Sequence, residues 1–443
     1  MQRDLRHFLS QLDERELLQR VAVPVNPRFE LSAVAKMVEK RGRALLFESV
    51  SGSTVSVATN VLGSRKMLSI ALETPVDRIN EVFAHRMYSP IAPTMVAKGP
   101  VQDVVMEGDD AGMEFLPIVT HAEMDAGPFI TAGVIVAKDP ETGLRNVSIN
   151  RMMFKDTRTL GCRMMPPQHL GLIQEKAEKR GIPLEIAVSI GNHPCEMIAA
   201  ATSLAFGDDE YAVAGGLRGE PLELARCVSV DLEVPARAEI VLEGEIVPGQ
   251  LEDEGPFGDF MQNYVPVMKN HVFRLKAVTH RNDPIYQTIQ ASSLEDVHLL
   301  AVSREAHVYR AVVETGAIVR GVSLVPSILA CAISIEKRFS GEPKNVAAAA
   351  FGSYSWLKYC IVVDHDVDVF DIEDVWWALA SRSDAANGLL SISNALGFPR
   401  DSAGIHKGKL GIDATAPLGY PEEFERKRVP GADNLDLTRY IKE

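Results

Sequence analysis

Two carboxylates five residues apart, Glu254 and Asp259, enclose Gly-Pro-Phe-Gly, a run made of turn chemistry. Pro256 fixes one φ angle, and the glycines let the chain approach other groups closely or take φ > 0. On a regular strand an odd spacing sends two side chains to opposite faces. A Gly-Pro-x-Gly bend lifts that restriction, so both acids can address one cleft. Paired carboxylates in a dry cleft push their pKa values apart, which lets one stay ionised while the other carries a proton. The same six residues also fit a solvated surface turn, so their surroundings must decide.

Upstream, Asn146, Ser148, Asn150 and Arg151, with Ile149 among them, crowd one expected strand spanning Asn146 to Arg151. Dense polar residues on a strand fit either a ligand-facing surface or an exposed edge. Pro166-Pro-Gln168-His169 places an imidazole where a helix should begin, a position suited to phosphate or metal. Asp208-Asp-Glu210 opens a further expected helix, where acids are ordinarily solvated dipole partners. Asn146, His169 and Glu210 form an oxygen and nitrogen donor set that suits Mn2+ or Mg2+ better than Zn2+. Glu223, in Pro-Leu-Glu-Leu, is a second acidic candidate. His298 and Arg304 fall near a domain junction, where pockets often form, and also fit an ordinary helix face. No dinucleotide-binding glycine fingerprint, phosphate-loop motif or G-x-S-x-G elbow occurs.

The elements that must position these residues follow from pattern. A chain of 443 residues has room for two or three domains with separate cores. Its net charge of −14 argues against a nucleic-acid or anionic-membrane partner, so an anionic substrate needs a locally positive pocket. No apolar run reaches the roughly 18 residues of a membrane span, and the first residues show no leader-like apolar stretch. Five cysteines, scattered and without a C-x-x-C pair, predict a reducing cytoplasm rather than a disulfide framework or thiolate zinc site. Alternating helix and strand patterns predict an N-terminal α/β unit over residues 1–100. Short strands broken by Gly and Pro, among them Ala238 to Glu243 and Phe273 to Thr279, predict a β-rich barrel or strongly curved sheet over 101–293. A C-terminal α/β domain over 294–443 closes with a Leu435 to Ile441 segment that could dock on a neighbour. The fold class is therefore mixed, α+β.

Taken in order, the motifs resemble those of the UbiD-type decarboxylases over nearly the whole chain. They are Asn146-x-x-x-x-Arg151, Pro-Gln-His169, Asp-Glu210-Tyr-Ala, Asp231-Leu-Glu-Val-Pro-Ala236, Glu-Ile-Val-Leu-Glu-Gly244, Glu254-Gly-Pro-Phe-Gly-Asp259 and Lys409-x-Gly-x-Asp-Ala-Thr415. The resemblance implies a split β-barrel flavin domain and prenylated FMN as cofactor. It also implies a divalent metal, usually Mn2+ (or Mg2+), and K+ at the phosphate. The implied activity is reversible removal of CO2 from aromatic, heteroaromatic or α,β-unsaturated acids. On this resemblance Asn146, His169 and Glu210 hold the metal. Asn146, Ser148, Ile149, Asn150, Arg151, Gln168, His169 and Lys409 contact the cofactor. Arg151, Glu254 and Asp259 form the catalytic network; the last is Glu in many members and one methylene shorter here. His298 and Arg304 would take a second acidic group, as in furan-2,5-dicarboxylate decarboxylases, giving 2-furoate. A hydroxybenzoate-type phenolic acid is the alternative. A flavin prenyltransferase as supplier and a homo-oligomer, dimer or hexamer, are implied too. Two other classes stay open: a flavin-binding module with no use for the Arg-Glu-Asp set, and a metal-dependent hydrolase acting through bound water.

Overall fold

The long hairpin that carries Glu254 is the spine of a nine-stranded sheet. Its strands, Ile240–Glu254 and Met268–His280, pair antiparallel from Ile240 with His280 to Glu254 with Met268. Glu254 is thus the last residue of its strand, and Asp259 lies in the connection. Sequence patterning shows only the inner halves of these strands, because Pro248 and Gly249 read as a break. The structure absorbs them in a register shift between Ile246 and Leu251, and the strand continues. The computed structural model describes residues 3–398, 407–419, 422–427, 429–431, 435 and 439–440. They form two units: the first runs to Arg310 and takes in Ser323–Ala330, and the second holds Ala311–Val322 and the described residues from Cys331 on.

The large sheet runs in the order Phe129–Ile130, Met152–Asp156, Thr159–Cys162, Met268–His280, Ile240–Glu254, Leu184–Ile190, Val134–Lys138, Arg145–Ile149, with Val104–Glu107 also on Met268–His280. The two ends of that order are halves of one hairpin. Ile130 pairs with Met152 at one end, and Val134 pairs with Ile149 at the other. Only Thr131-Ala132-Gly133 on one leg and Asn150-Arg151 on the other cross between them. Three steps of chain, Ile149 to Met152, span at most about 11 Å. The sheet must therefore curl until its ends nearly meet, which makes a split barrel with a seam. Three residues opposite two is the count of a β-bulge, which re-aims side chains. The strand expected over Asn146 to Arg151 accordingly ends at Ile149, and Asn150 and Arg151 are seam residues.

Leu184–Ile190 is buried along almost its whole length, so it reads as a continuous apolar run rather than an alternating one. Each such Val, Leu or Ile side chain stabilises the fold by roughly 1.5–3 kcal/mol. Helix His169–Lys179 follows Pro166 and Pro167, and its first turn lies close against the Met165–Pro166 backbone. A Cβ on Gly171, in its first turn, would lie 2.5 Å from the Met165 carbonyl carbon. Helix Glu210–Arg218 starts where Asp209 accepts the Tyr211 N–H at 3.0 Å.

In the same unit a smaller sheet orders Leu18–Val21, Ala44–Phe47, Ser56–Thr59 and Ile285–Gln287. Helix Leu5–Asp13 turns Leu5, Phe8, Leu9 and Leu12 to the core, as their spacing predicts. The second unit has a five-stranded sheet, Val319–Ser323, Ala330–Ile335, Tyr359–Asp364, Gly408–Ala414 and Leu389–Ser393, with helices Glu342–Ser353 and Ile372–Arg382. Asp371 caps the latter helix by accepting the Glu373 N–H at 2.9 Å. Most of the Leu435 to Ile441 segment lies outside the described residues. No helix among the described residues is long and apolar enough to cross a membrane.

Candidate active site

Glu254, at the end of its strand, is 0 % exposed. Its carboxylate takes Arg151 Nε at 2.7 Å and Nη2 at 2.8 Å, and Asn270 Nδ2 donates to it at 2.9 Å. A bidentate guanidinium and a third donor give this buried charge the partner it needs. The guanidinium also lies 4.8 Å from the Phe257 ring centre and 6.0 Å from that of Phe129, rings 4.5 Å apart. Among the described residues Arg151 Nη1 has no hydrogen-bond partner. Gly255, at φ +91°, folds the chain back so that Phe257 comes beneath Arg151. Gly258 N–H donates to Asp125 Oδ1 at 3.0 Å, and Ala126 N–H donates to the Pro256 carbonyl at 2.9 Å. Asp259 is half-buried, with Oδ1 accepting the Met261 N–H at 2.9 Å.

A second cluster lies along the Arg145–Ile149 strand. Asn146 Nδ2 donates to Glu210 Oε1 at 3.0 Å, and the Val147 N–H donates to Glu210 Oε2 at 2.9 Å. The Oδ1 of Asn146 is buried without a partner among the described residues. Burial pushes the Glu210 carboxyl up to about 7, with the Val147 N–H bond opposing it. An orphaned amide oxygen beside a desolvated carboxyl fits a divalent cation, which would satisfy both. These residues, with Ser148, Ile149, Asn150, Gln168 and His169, line a cavity of about 440 Å³. The His169 ring meets Phe206 edge-on at 5.1 Å. Among the described residues no three His, Cys, Asp or Glu side chains cluster as a metal centre; the candidate set has two of these and an amide oxygen. Glu223 stands elsewhere, accepting from Arg237 Nε at 3.0 Å.

The same cavity is lined by helix Leu294–Val313, whose Asp296, Leu300 and Arg304 lie four residues apart on one face. Arg304 Nη1 donates to the Leu300 carbonyl. Burial pushes the Asp296 carboxyl up to about 6, and the charge of Asp259 adds to it against a bond from the Ser292 N–H. His298 is not on this face: it is buried, its Nδ1 donates to the Leu62 carbonyl at 3.1 Å, and burial lowers its pKa to about 4. The structure therefore does not bring His298 and Arg304 together. Lys409, in the second unit, is nearly buried and gives its ammonium to the carbonyls of Ser355 at 2.9 Å and Leu357 at 2.7 Å. Asn270, Asp125 and Asp296 were not singled out in the sequence; each is one polar residue within an otherwise ordinary strand, turn or helix.

Three models of the 3-octaprenyl-4-hydroxybenzoate carboxy-lyase family match in succession: its N-terminal domain over residues 9–87, its Rift-related domain over 94–293 and its C-terminal domain over 297–414. The chain belongs to the UbiD family. This UbiD chain is 36 % identical over 428 residues to an anhydromevalonate phosphate decarboxylase of Methanothermobacter thermautotrophicus, covering 95 % of this chain and 99 % of that one. The enzyme of that name from Methanosarcina mazei is 37 % identical over 431 residues, covering 96 % and 99 %. Among solved structures, the UbiD-class enzyme HmfF from Pelotomaculum thermopropionicum in complex with FMN superposes with a TM-score of 0.93 at 40 % identity, covering 99 % of this chain and 100 % of that one. The apo 3,4-dihydroxybenzoic acid decarboxylase from Enterobacter cloacae gives 0.91 at 28 % identity, covering 99 % of each. The UbiD chain is a carboxy-lyase, and the mixed fold with a curled central sheet expected from its sequence is the fold it has. The passive flavin-carrier and hydrolase readings give way to it.

Proposed function

We propose that this UbiD-family carboxy-lyase works with prenylated FMN and a divalent metal, Mn2+ or Mg2+. We take its substrate to be an unsaturated or heteroaromatic acid carrying a second anionic group, with furan-2,5-dicarboxylate, giving 2-furoate, as the first candidate. One observation supports the reading: a single cavity is lined by Asn146, whose Oδ1 has no partner among the described residues, by Glu210 and His169, and by Arg304. HmfF binds FMN in one structure and prenylated FMN in another, and the relatives named for anhydromevalonate phosphate take a substrate with a phosphate.

Asn146, His169 and Glu210 would hold the metal and, through it, the flavin phosphate. When bound, the prenylated flavin supplies the electron sink that loss of CO2 requires. Arg151, with Nη1 open, orients the carboxylate that will leave, and Glu254 fixes the guanidinium by its two-point bond. Asp259 delivers the proton that replaces CO2 on the α-carbon, so R–COO⁻ and H⁺ become R–H and CO2. High bicarbonate drives the same steps backward. The test is to co-express the chain with a flavin prenyltransferase, purify it without oxygen and assay furan-2,5-dicarboxylate, a furan monoacid, 3,4-dihydroxybenzoate and a phosphorylated unsaturated acid. Turnover of furan-2,5-dicarboxylate is expected. Turnover of only another acid replaces the substrate, and a colourless, flavin-free protein removes the cofactor.

A further inference from the structure

Thr131 stands at the barrel seam, half-buried, on the cavity wall. Behind it runs a line of polar side chains drawn from distant parts of the sequence. Its hydroxyl oxygen accepts the Ile289 N–H at 3.0 Å and lies 3.1 Å from the Thr288 hydroxyl. The Thr288 hydroxyl in turn lies 2.9 Å from His121 Nε2. Thr288 is 1 % exposed and His121 7 %. Burial lowers the His121 pKa to about 4, so the ring is neutral. Among the described residues its buried Nδ1 has no hydrogen-bond partner.

A neutral imidazole carries one N–H and one lone pair, and the nitrogen that holds the proton sets the direction of the whole line. With the proton on Nδ1, a buried N–H would go unpaired, and the Thr131 hydrogen would be turned inward to Thr288. With the proton on Nε2, only a lone pair goes unpaired, and orphaned acceptors are tolerated in protein interiors better than orphaned donors. In this second form His121 donates to Thr288 and Thr288 donates to Thr131. Thr131 then accepts twice, from Thr288 and Ile289, and its own hydrogen is left for the cavity. We propose that His121 and Thr288 fix Thr131 as a donor aimed at an oxygen of the cavity's occupant, either a flavin carbonyl or a substrate carboxylate. This rests on the flavin-dependent reading of the cavity. Thr131 would touch the ligand; His121 and Thr288 are positioning residues.

The experiment titrates the full chain with FMN, followed by flavin fluorescence, and separately measures kcat and KM on the loaded enzyme. If the acceptor is a flavin carbonyl, Thr131→Val weakens FMN binding about three- to tenfold, the worth of one neutral hydrogen bond. If it is a substrate carboxylate, FMN binding is unchanged and KM rises about tenfold or more, with kcat largely kept. Thr131→Ser restores either quantity. His121→Leu reproduces the Thr131→Val loss, and the two together cost no more than one, as expected for residues acting in a single line. His121→Gln, which keeps an N–H near the Nε2 position, stays close to wild type. If His121→Leu does not fold, Thr288→Val takes its place in the cycle. Wild-type FMN affinity and KM in Thr131→Val overturn the proposal, as do losses that multiply in the double variant. A wild-type chain that neither binds FMN nor decarboxylates overturns the cofactor reading beneath it as well.

Discussion

At the scale of single residues the grip of Arg151 on Glu254 makes the sharpest prediction. In Glu254→Gln the amide keeps the shape, but its NH2 faces guanidinium N–H groups, donor against donor. Turnover should fall at least about a hundredfold, the usual range for a lost acid–base group, while FMN titration is unchanged because Glu254 is not on the cavity wall. Near-normal turnover in single-turnover assays would remove Glu254 from the chemistry. Arg304→Leu should act differently. A charge-assisted bond to a carboxylate is worth roughly 1.5–3 kcal/mol, so kcat/KM for furan-2,5-dicarboxylate should drop about tenfold or more, with little change for a furan monoacid. Equal losses on both acids would reduce Arg304 to general support. Glu254 and Asp259 stood out in the sequence because turn glycines and paired acids are local signals, whereas Arg151 was tied to them only by the resemblance, its partner Glu254 lying 103 positions away. Asn270, His121 and Thr288 did not stand out: each is a single polar residue whose meaning comes from a partner at least 16 positions away.

At the scale of elements the reading succeeded where one period ran unbroken and failed where a break was absorbed. The helix Leu5–Asp13 shows its buried stripe in the sequence. Pro248 and Gly249 hid the outer half of a 15-residue strand, since a bulge that tolerates them leaves no mark on hydrophobic periodicity. Helix His169–Lys179 offers a test of positioning. Gly171→Ala would press a methyl against the Met165–Pro166 backbone, and such overpacking costs about 1–3 kcal/mol. Relief requires the first helical turn, and His169 with it, to move. The expected result is a lower melting temperature and loss of Mn2+ on a desalting column, where wild type retains it. Full Mn2+ retention in the variant would separate His169 from the metal.

At the scale of the whole molecule, the buried neutral histidines set an acid limit. The folded pKa of His298, about 4, lies below its ordinary value of 6.5, so on acidification the unfolded chain takes up the proton first. The stabilisation is complete above about pH 6.5, is lost progressively as pH falls toward 4, and amounts to at most about 3 kcal/mol. His298→Gln, which can still donate to Leu62, should flatten the fall in melting temperature across that window. A decline as steep as wild type would show that His298 is not buried neutral. The sequence singled out His298 but not as a buried neutral ring, and the split barrel came from the resemblance without the residues of its seam, because burial and closure both depend on how distant strands and helices meet. The seam also has a consequence for how such a protein can diversify. One part of the cavity lining is tied to barrel closure, where a residue inserted between Ile149 and Met152 would break the count that joins the sheet's ends. Another is a stripe of Asp296, Leu300 and Arg304 on one helix, whose side chains pair no strands. On the proposed function, changes by drift or in a randomised library along that stripe alone would alter the acid taken, while the seam side of the cavity stays as it is.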